Sequence, residues 1–272
     1  DTFDSDGITI ANTAGYVVFN YSANAYVNWF WKAGNATLGT GDFTQGSIAS
    51  TCSRNVDAGF SIVSFTGTGS TGTVGHGLSS APDMILIKNR DDAYAWRVYH
   101  SSNTSAPETD FLKMTNAATT DSVGTWNDTA PSATLFTVQT DNEVNRSTNK
   151  FIAYCFHSVD GYSKFGSYVG NANADGTFVY TGFRPAFVMI KNTVLGSWHT
   201  FDSVREPTND GSMFDLMADS TSAELTQTSN DRWETYSNGF KMRGTNNESN
   251  GSGQTIVYMA FAETPFKYSN AR

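Results

Sequence analysis

Alternation of apolar and polar side chains is the main pattern along this chain, and it predicts β-strands. In "YVNWFWKAG" at 26–34, Val27, Trp29 and Trp31 alternate with a second set of residues. Period two with β-branched and aromatic side chains is typical of a strand with one buried face. Helical periodicity is nearly absent, and we expect at most one short helical turn, within 214–225.

Several strand-like segments occur twice. "APDMILIKN" at 81–89 returns as "RPAFVMIKN" at 184–192, 103 positions later, and both contain a run that is apolar on both faces, as in a central strand. "FIAYCF" at 151–156 likewise returns as "IVYMAF" at 256–261. We infer that the whole unit has been duplicated.

The repeated segments predict a domain organisation and a fold class. Each unit would contain five or six short strands joined by turns rich in Gly, Asn, Ser and Thr, which favours an all-β protein made of tandem, jelly-roll-like β-sandwich repeats. Residues 1 to about 34 resemble the end of a further copy. The predicted parts are an N-terminal segment with a linker (1–55), a first repeat (56–161) and a second repeat (162–272).

Composition and charge exclude some partners. The net charge is −9 and no cluster of Lys and Arg occurs, so nucleic-acid binding is not expected. The longest apolar runs are far shorter than the ~20 residues of a membrane span, so we expect no membrane insertion. The chain starts at Asp1 without a signal-like segment, which suggests a processed or excised product.

Two loop motifs resemble ligand sites. "GTGSTG" at 67–72 matches G-x-G-x-x-G, but no helix pattern follows it, so we predict a loop or hairpin turn and no cofactor. "NANADG" at 171–176 and "DSDG" at 4–7 resemble the start of a calcium loop without its final acidic ligand. Turns are the favoured interpretation, with weak calcium binding left open.

Catalytic and metal-binding patterns are weak. The four histidines are scattered without metal-ligand spacing, and we expect them to be structural or on the surface. No sequence marks a nucleophile, so we predict that the protein is not an enzyme. A glycoside hydrolase would need two carboxylates within about 10 Å of each other in a cleft.

Two tryptophans are candidates for sugar contact. Trp126 and Trp233 lie in comparable late segments of the two units, which we expect to be exposed loops, and flat sugar faces stack on such rings. Trp96 and Trp198 are better explained as core residues. Cys52 and Cys155 are expected to be free thiols, one of them buried, although a disulfide is the alternative.

The longer motifs resemble a known group of proteins. "GFSIVSFTGTGSTGTVGHGLSSAPDMILIKN" (59–89), "CFHSVDGYSKFGSYVGN" (155–171), "DGTFVYTGFRPAFVMIKN" (175–192) and "YMAFAETPFKYSNAR" (258–272) are similar to a domain repeated at the C-terminal ends of structural proteins of tailed bacteriophages, especially marine and cyanobacterial ones. Members of that group tend to have long N-terminal regions, which are missing here.

The resemblance implies a function without a catalytic site. It implies a non-enzymatic virion protein on the particle surface, such as a tail fibre, head fibre or capsid decoration component, with other virion proteins as partners and "FKYSNAR" as a natural C-terminus. We expect a homo-oligomer that contributes to host attachment. The alternative is a lectin-like module that binds host surface polysaccharide.

Overall fold

The protein is all-β. The computed structural model describes residues 2–3, 8–9, 25–207, 209, 213–227 and 231–264. The elements, in chain order, are β1 (Thr2–Phe3), β2 (Ile8–Thr9), β3 (Ser50–Asn55), β4 (Phe60–Thr66), β5 (Gly72–Gly75), β6 (Met84–Asn89), β7 (Arg97–His100), β8 (Asp110–Lys113), β9 (Thr120–Asp121), α1 (Val123–Trp126), β10 (Leu135–Val138), α2 (Asn142–Asn145), β11 (Lys150–Phe156), β12 (Ser163–Val169), β13 (Phe178–Tyr180), β14 (Pro185–Asn192), β15 (Trp198–Asp202), β16 (Met213–Met217), β17 (Leu225–Gln227), β18 (Asp231–Tyr236), β19 (Gly239–Gly244), α3 (Asn247–Asn250) and β20 (Thr255–Ala262).

Two large antiparallel sheets contain most of these strands. Their orders are β3-β4-β11-β6-β7-β8-β9 and β12-β20-β14-β15-β16-β17. We call the part from β3 to β11 the first half and the part from β12 to β20 the second half. Each large sheet is accompanied by a small one, β5-β10 in the first half and β13-β19-β18 in the second. The apolar runs predicted as central strands are β6 and β14, and both lie inside their sheets between two neighbours.

The two large sheets have the same connectivity from β4 and β12 onward. In each, the first of these strands (β4 or β12) pairs with the last long strand (β11 or β20), and that strand pairs with the one that contains the repeated "IKN" motif (β6 or β14). Further along the chain, β7 pairs with β8 and β15 pairs with β16. The first sheet has one additional strand, β3, which covers the outer edge of β4.

Each half has its own apolar core between its large and its small sheet. In the first half, Val63 and Ile85 of the large sheet are in one cluster with Val74 and Phe136 of the small sheet. In the second, Val188 and Ile256 are in one cluster with small-sheet residues of β13, β18 and β19. Burying these side chains on both sheets is the main stabilising term of the fold.

The two halves also contact each other directly. The indole N–H of Trp198 donates to the carbonyl oxygen of Lys113 at 2.7 Å, and a ring nitrogen of His100 lies 3.1 Å from the carbonyl oxygen of Tyr258. Aromatic rings add to this contact, since the centroid of Phe156 lies 5.7 Å from that of Phe165 and 6.2 Å from that of Phe261.

The N-terminal segment differs from the prediction. Residues 25–34 form no strand, although Trp29 and Trp31 are less exposed than their neighbours Val27 and Phe30. The alternation is present, but no described strand pairs with this segment, and a strand needs a partner for its backbone N–H and C=O groups. Residues 1–32 and 33–272 are separate compact units.

The last part of the predicted N-terminal segment packs with the first sheet. Leu38 forms a bridge with Cys52, and β3 forms a ladder with β4. The predicted repeat boundaries at 56 and 162 stay predictions. The residues between 33 and 55 therefore contribute to the packing of the first half, whatever their origin.

Helical structure is restricted to single turns in the part of the chain that the model describes. The helices α1, α2 and α3 have four residues each. No helix lies in 214–225, where we expected one turn at most, because β16 continues to Met217 and β17 begins at Leu225. Among the described residues, no helix is long and apolar enough to cross a membrane.

Candidate functional site

Both tryptophans predicted to contact glycans lie in the core. Trp126 closes α1 and Trp233 lies in β18, and each is only 2% exposed. Trp126 packs edge-on against Tyr99, and Trp233 stacks on Phe201 with ring centroids 5.6 Å apart. A sugar cannot stack on a ring whose faces are already covered, so this conformation presents neither tryptophan to a ligand.

The glycine-rich motif forms a loop between two strands. It connects β4 to β5, and no helix follows it, as predicted. Gly67 has a packing role, because a Cβ there would lie 2.2 Å from the carbonyl oxygen of Arg146. Gly170 has the same role in the second half, with a distance of 2.3 Å to the carbonyl oxygen of Gly251. The first glycine of the motif is thus required by the fold.

The calcium-like loop at 171–176 uses its oxygens for internal contacts. The side-chain oxygen of Asn171 accepts from the backbone N–H of Asn173, and that of Asn173 accepts from the N–H of Asp175. The carboxylate of Asp175 pairs with Lys241 and Arg243. Among the described residues, no group of three or more His, Cys, Asp or Glu side chains is arranged to hold a metal ion. The "DSDG" motif lies outside the described residues.

Both cysteines are free and both are buried. Burial raises the pKa of Cys52 to about 11 and raises that of Cys155 further. Because the thiolate is the reactive form, neither cysteine is suited to nucleophilic or redox chemistry at neutral pH. The prediction of free thiols is confirmed, and the burial extends to both.

The most unusual polar cluster lies in the second half and centres on His199. Its Nδ1 lies 2.7 Å from a carboxylate oxygen of Asp215, and its Nε2 lies 2.8 Å from a carboxylate oxygen of Glu248. Strand β15 supplies the histidine, β16 supplies Asp215 and the turn α3 supplies Glu248. The backbone N–H of Ser197 also donates to Glu248.

These contacts keep His199 and Glu248 ionised. Burial alone lowers the pKa of His199, but hydrogen bonds to Asp215 and Glu248 and the two negative charges outweigh burial and raise that pKa to about 9. The hydrogen bond from His199 lowers the pKa of Glu248 to about 2, against an opposing effect of burial. At neutral pH an imidazolium therefore lies between two carboxylates.

This arrangement does not suit acid–base or nucleophilic catalysis. The His199 ring lies between the carboxylates of Asp215 and Glu248, and Glu248 is held ionised rather than protonated, so the two do not supply the acid and the base of glycoside hydrolysis. Ser249 lies nearby but cannot transfer a proton to His199, because both ring nitrogens are already bonded.

The first half has a different cluster at the same place. The ladders pair Ile87 with Arg97 and Ile190 with His199, so Arg97 corresponds to His199. Arg97 forms ion pairs with Asp141 at 2.6 Å and Glu143 at 3.1 Å. Its guanidinium also lies 3.8 Å above the ring centroid of the buried Phe111.

A small cavity is present in the second half beside His199. Its volume is about 180 Å³, and its lining includes Asp215, Ser249, Phe201 and Leu225. By the ladder registers, Asp215 of the second half corresponds to Phe111 of the first half. By the positions within the turns α2 and α3, Ser249 corresponds to Val144. The cavity therefore lies where two larger apolar side chains are replaced by smaller polar ones.

A second, shallower groove of about 550 Å³ runs along β12. Phe178 is 44% exposed and Tyr180 is 58% exposed on β13, which forms its other side. The ammonium group of Lys164 donates to the carbonyl oxygen of Tyr180 at 3.0 Å and lies 5.3 Å from the centroid of its ring. Among the described residues of this half, the exposed aromatic side chains are therefore those of Phe178 and Tyr180 on β13.

Sequence reasoning missed the His199 cluster, although a signal was present. The four histidines were expected to be structural or on the surface, and all four are buried. A repeated turn could have located the cluster. "DNEVN" at 141–145 and "NNESN" at 246–250 both begin with a capping residue and place a glutamate two positions later.

Comparison with known proteins gives a family. A family model described as a domain of unknown function (DUF7483) matches residues 1–265. The chain belongs to this family. No curated protein and no solved structure matches the DUF7483 chain significantly.

Proposed function

We propose that this DUF7483 protein is a non-enzymatic structural component of a tailed-bacteriophage virion, exposed on the particle surface as a fibre, tail or capsid decoration protein. The resemblance of its long motifs to that group is the starting point. The observation that carries the proposal is the shared connectivity of the two large sheets, at offsets of 102 to 105 residues. Repeated β units are typical of spacers and surface components.

Each half is proposed to be one β-sandwich repeat. The large sheet of each half shares an apolar core with its small sheet, which is the packing expected of a sandwich. Hydrogen bonds between the halves, such as the one from Trp198 to Lys113, would hold two repeats in a fixed relation. The acidic composition would discourage nonspecific association on a crowded particle surface.

The proposed partners are other virion proteins and further copies of this chain. Contribution to host attachment is part of the proposal, with the location on the particle surface. The lectin-like alternative needs a contact site other than Trp126 and Trp233, since both are buried. The cavity beside His199 is the observation that supports this alternative.

The test is quantitative mass spectrometry of purified particles from the source, with the major capsid protein as the internal standard. A fixed ratio that survives salt and detergent washes would support a virion component. Hundreds of copies would indicate capsid decoration, and a few to tens would indicate fibres. Absence from washed particles, with the protein recovered in the soluble fraction, would contradict the proposal.

A further inference from the structure

Two residues that line the cavity beside His199 each have a buried side-chain oxygen without a hydrogen-bond partner among the described residues. One is Oδ1 of Asp215, whose other oxygen bonds His199, and the second is the hydroxyl oxygen of Ser249. Asp215 is 3% exposed and Ser249 is 4% exposed. An unpaired buried acceptor costs about 1–3 kcal/mol, so both atoms favour a ligand that supplies hydrogen bonds.

The first half shows how the same place is filled when no ligand is expected. There Phe111 and Val144 are buried members of the apolar core, and Arg97 stacks on the Phe111 ring. Their apolar side chains occupy this place in the first half. The second half has instead Asp215 and Ser249, which line a cavity.

Size limits the ligand to one small ring. A volume of about 180 Å³ is below the ~300 Å³ of typical drug-sized sites and corresponds to roughly six waters at ~30 Å³ each. Met217 and Leu225 supply apolar surface, and Leu225 is 38% exposed. Apolar walls with a few polar groups are typical of sites for small molecules.

Charge disfavours an anionic ligand. Two carboxylates and one imidazolium leave the cluster of Asp215, Glu248 and His199 with a net negative charge, which would repel an anion. Hydroxyl groups can donate to Asp215 and can either donate to or accept from Ser249. The C–H faces of a sugar would contact the apolar side of the cavity.

We propose that this cavity binds one neutral sugar ring, with hydroxyl groups that bond Asp215 Oδ1 and the Ser249 hydroxyl. The inference rests on the lectin-like alternative and not on the virion role. It places glycan contact in one half only, at residues other than the tryptophans. Asp215 accepts from the ligand through its free oxygen while its bonded oxygen stays on His199.

The test is an NMR titration of the purified chain with neutral hexoses (glucose, galactose and mannose) and with glucuronate as an anionic sugar of matched size. We expect saturable shifts of the His199 ring signals, with a dissociation constant on the order of millimolar, for at least one neutral hexose. Glucuronate should bind more weakly, because the two carboxylates of the cluster repel its own.

Two variants control the site. Ser249→Val copies the first half, removes the hydroxyl and should weaken binding about fivefold or more, because one hydrogen bond is lost. Ser80→Ala changes an exposed serine in the first half and should leave binding unchanged. Folding of both is checked by the amide spectrum.

Several results would overturn the inference. These are no saturable binding of any neutral hexose at concentrations up to ~100 mM, preferential binding of glucuronate, or equal binding by Ser249→Val. None of these bears on particle incorporation, which is scored by mass spectrometry on its own. A protein that is in the particle and binds no sugar would keep the virion proposal and end this one.

Discussion

At the scale of single residues, the charge state of a buried histidine depends on the groups that surround it. His100 and His199 are both buried, but their surroundings are opposite. His100 contacts a backbone carbonyl, and burial lowers its pKa to about 4. His199 lies between two carboxylates, which raise its pKa to about 9. The same residue type is thus neutral in one place and charged in another.

We expect the two histidines to titrate far apart. In an NMR titration of ring signals, His100 should stay neutral down to about pH 4, and His199 should stay charged up to about pH 9. The stability that His199 contributes is fully present below its unfolded pKa of ~6.5 and is lost as the pH rises through about 9. Titration of His199 near pH 6.5 would show that the carboxylates do not hold its proton.

In the same cluster, the pKa of Glu248 is shifted in the opposite direction to that of His199. The pKa of Glu248 is lowered to about 2, so its contribution is present above the unfolded value and is lost as the pH falls toward 2. The cluster therefore stabilises the fold most between the two unfolded pKa values. Burial and pairing of this kind depend on three separate strands or turns, which is why the sequence alone did not reveal them.

At the scale of elements, a short turn fixes a loop in each half. Asn145 closes α2 and is fully buried, and its amide accepts from Thr68 N–H at 2.8 Å and donates to the carbonyls of Ser70 and Gln139. Asn250 closes α3 in the same way and bonds the 171–173 loop. In each half, one side-chain amide thus forms hydrogen bonds to several backbone groups of a loop that has no strand partner there.

Replacing either asparagine should destabilise the protein. Asn145→Ala and Asn250→Ala each leave buried N–H and C=O groups unpaired, so we expect a loss of about 1–3 kcal/mol in the free energy of unfolding, measured by urea denaturation. Asn116→Ala, at an exposed position, is the control and should change it by less than ~0.5 kcal/mol. A loss confined to one of the two variants would mean that the turns are not equivalent.

The sequence predicted the long strands well and the short elements poorly. β6, β14, β11 and β20 follow from apolar runs, because a buried strand needs little else. The strand expected at 26–34 did not form, since alternation does not supply a pairing partner. The burial of Trp126 and Trp233 was also missed, because a late position in a repeat says nothing about which way a ring points.

At the scale of the molecule, residues 33–272 form one compact unit although they contain two cores. The bonds from Trp198 to Lys113 and from His100 to Tyr258 cross between the halves, as does the bond from Thr119 N–H to the carbonyl of Thr193. Aromatic contacts around Phe156 lie at the same junction. Such contacts couple the stability of one half to that of the other.

We expect the two halves to unfold together. Scanning calorimetry should show one transition with equal calorimetric and van't Hoff enthalpies. Trp198→Phe removes the indole donor to Lys113 and should lower the midpoint of that single transition, by roughly 1 kcal/mol in free energy. Two resolved transitions, of which only one responds to Trp198→Phe, would show that the halves are independent.

Among the described strands, β12 lies at an edge of its sheet, and this position has a consequence for how the protein behaves in concentrated solution. β3 covers β4 in the first sheet, whereas the six residues that connect Phe156 to Ser163 form no described strand beside β12. An open strand edge is a template for unwanted addition of another chain. Lys164 places a positive charge on that strand, and such charges oppose edge-to-edge aggregation. We therefore expect Lys164 to protect the solubility of the second half at this edge.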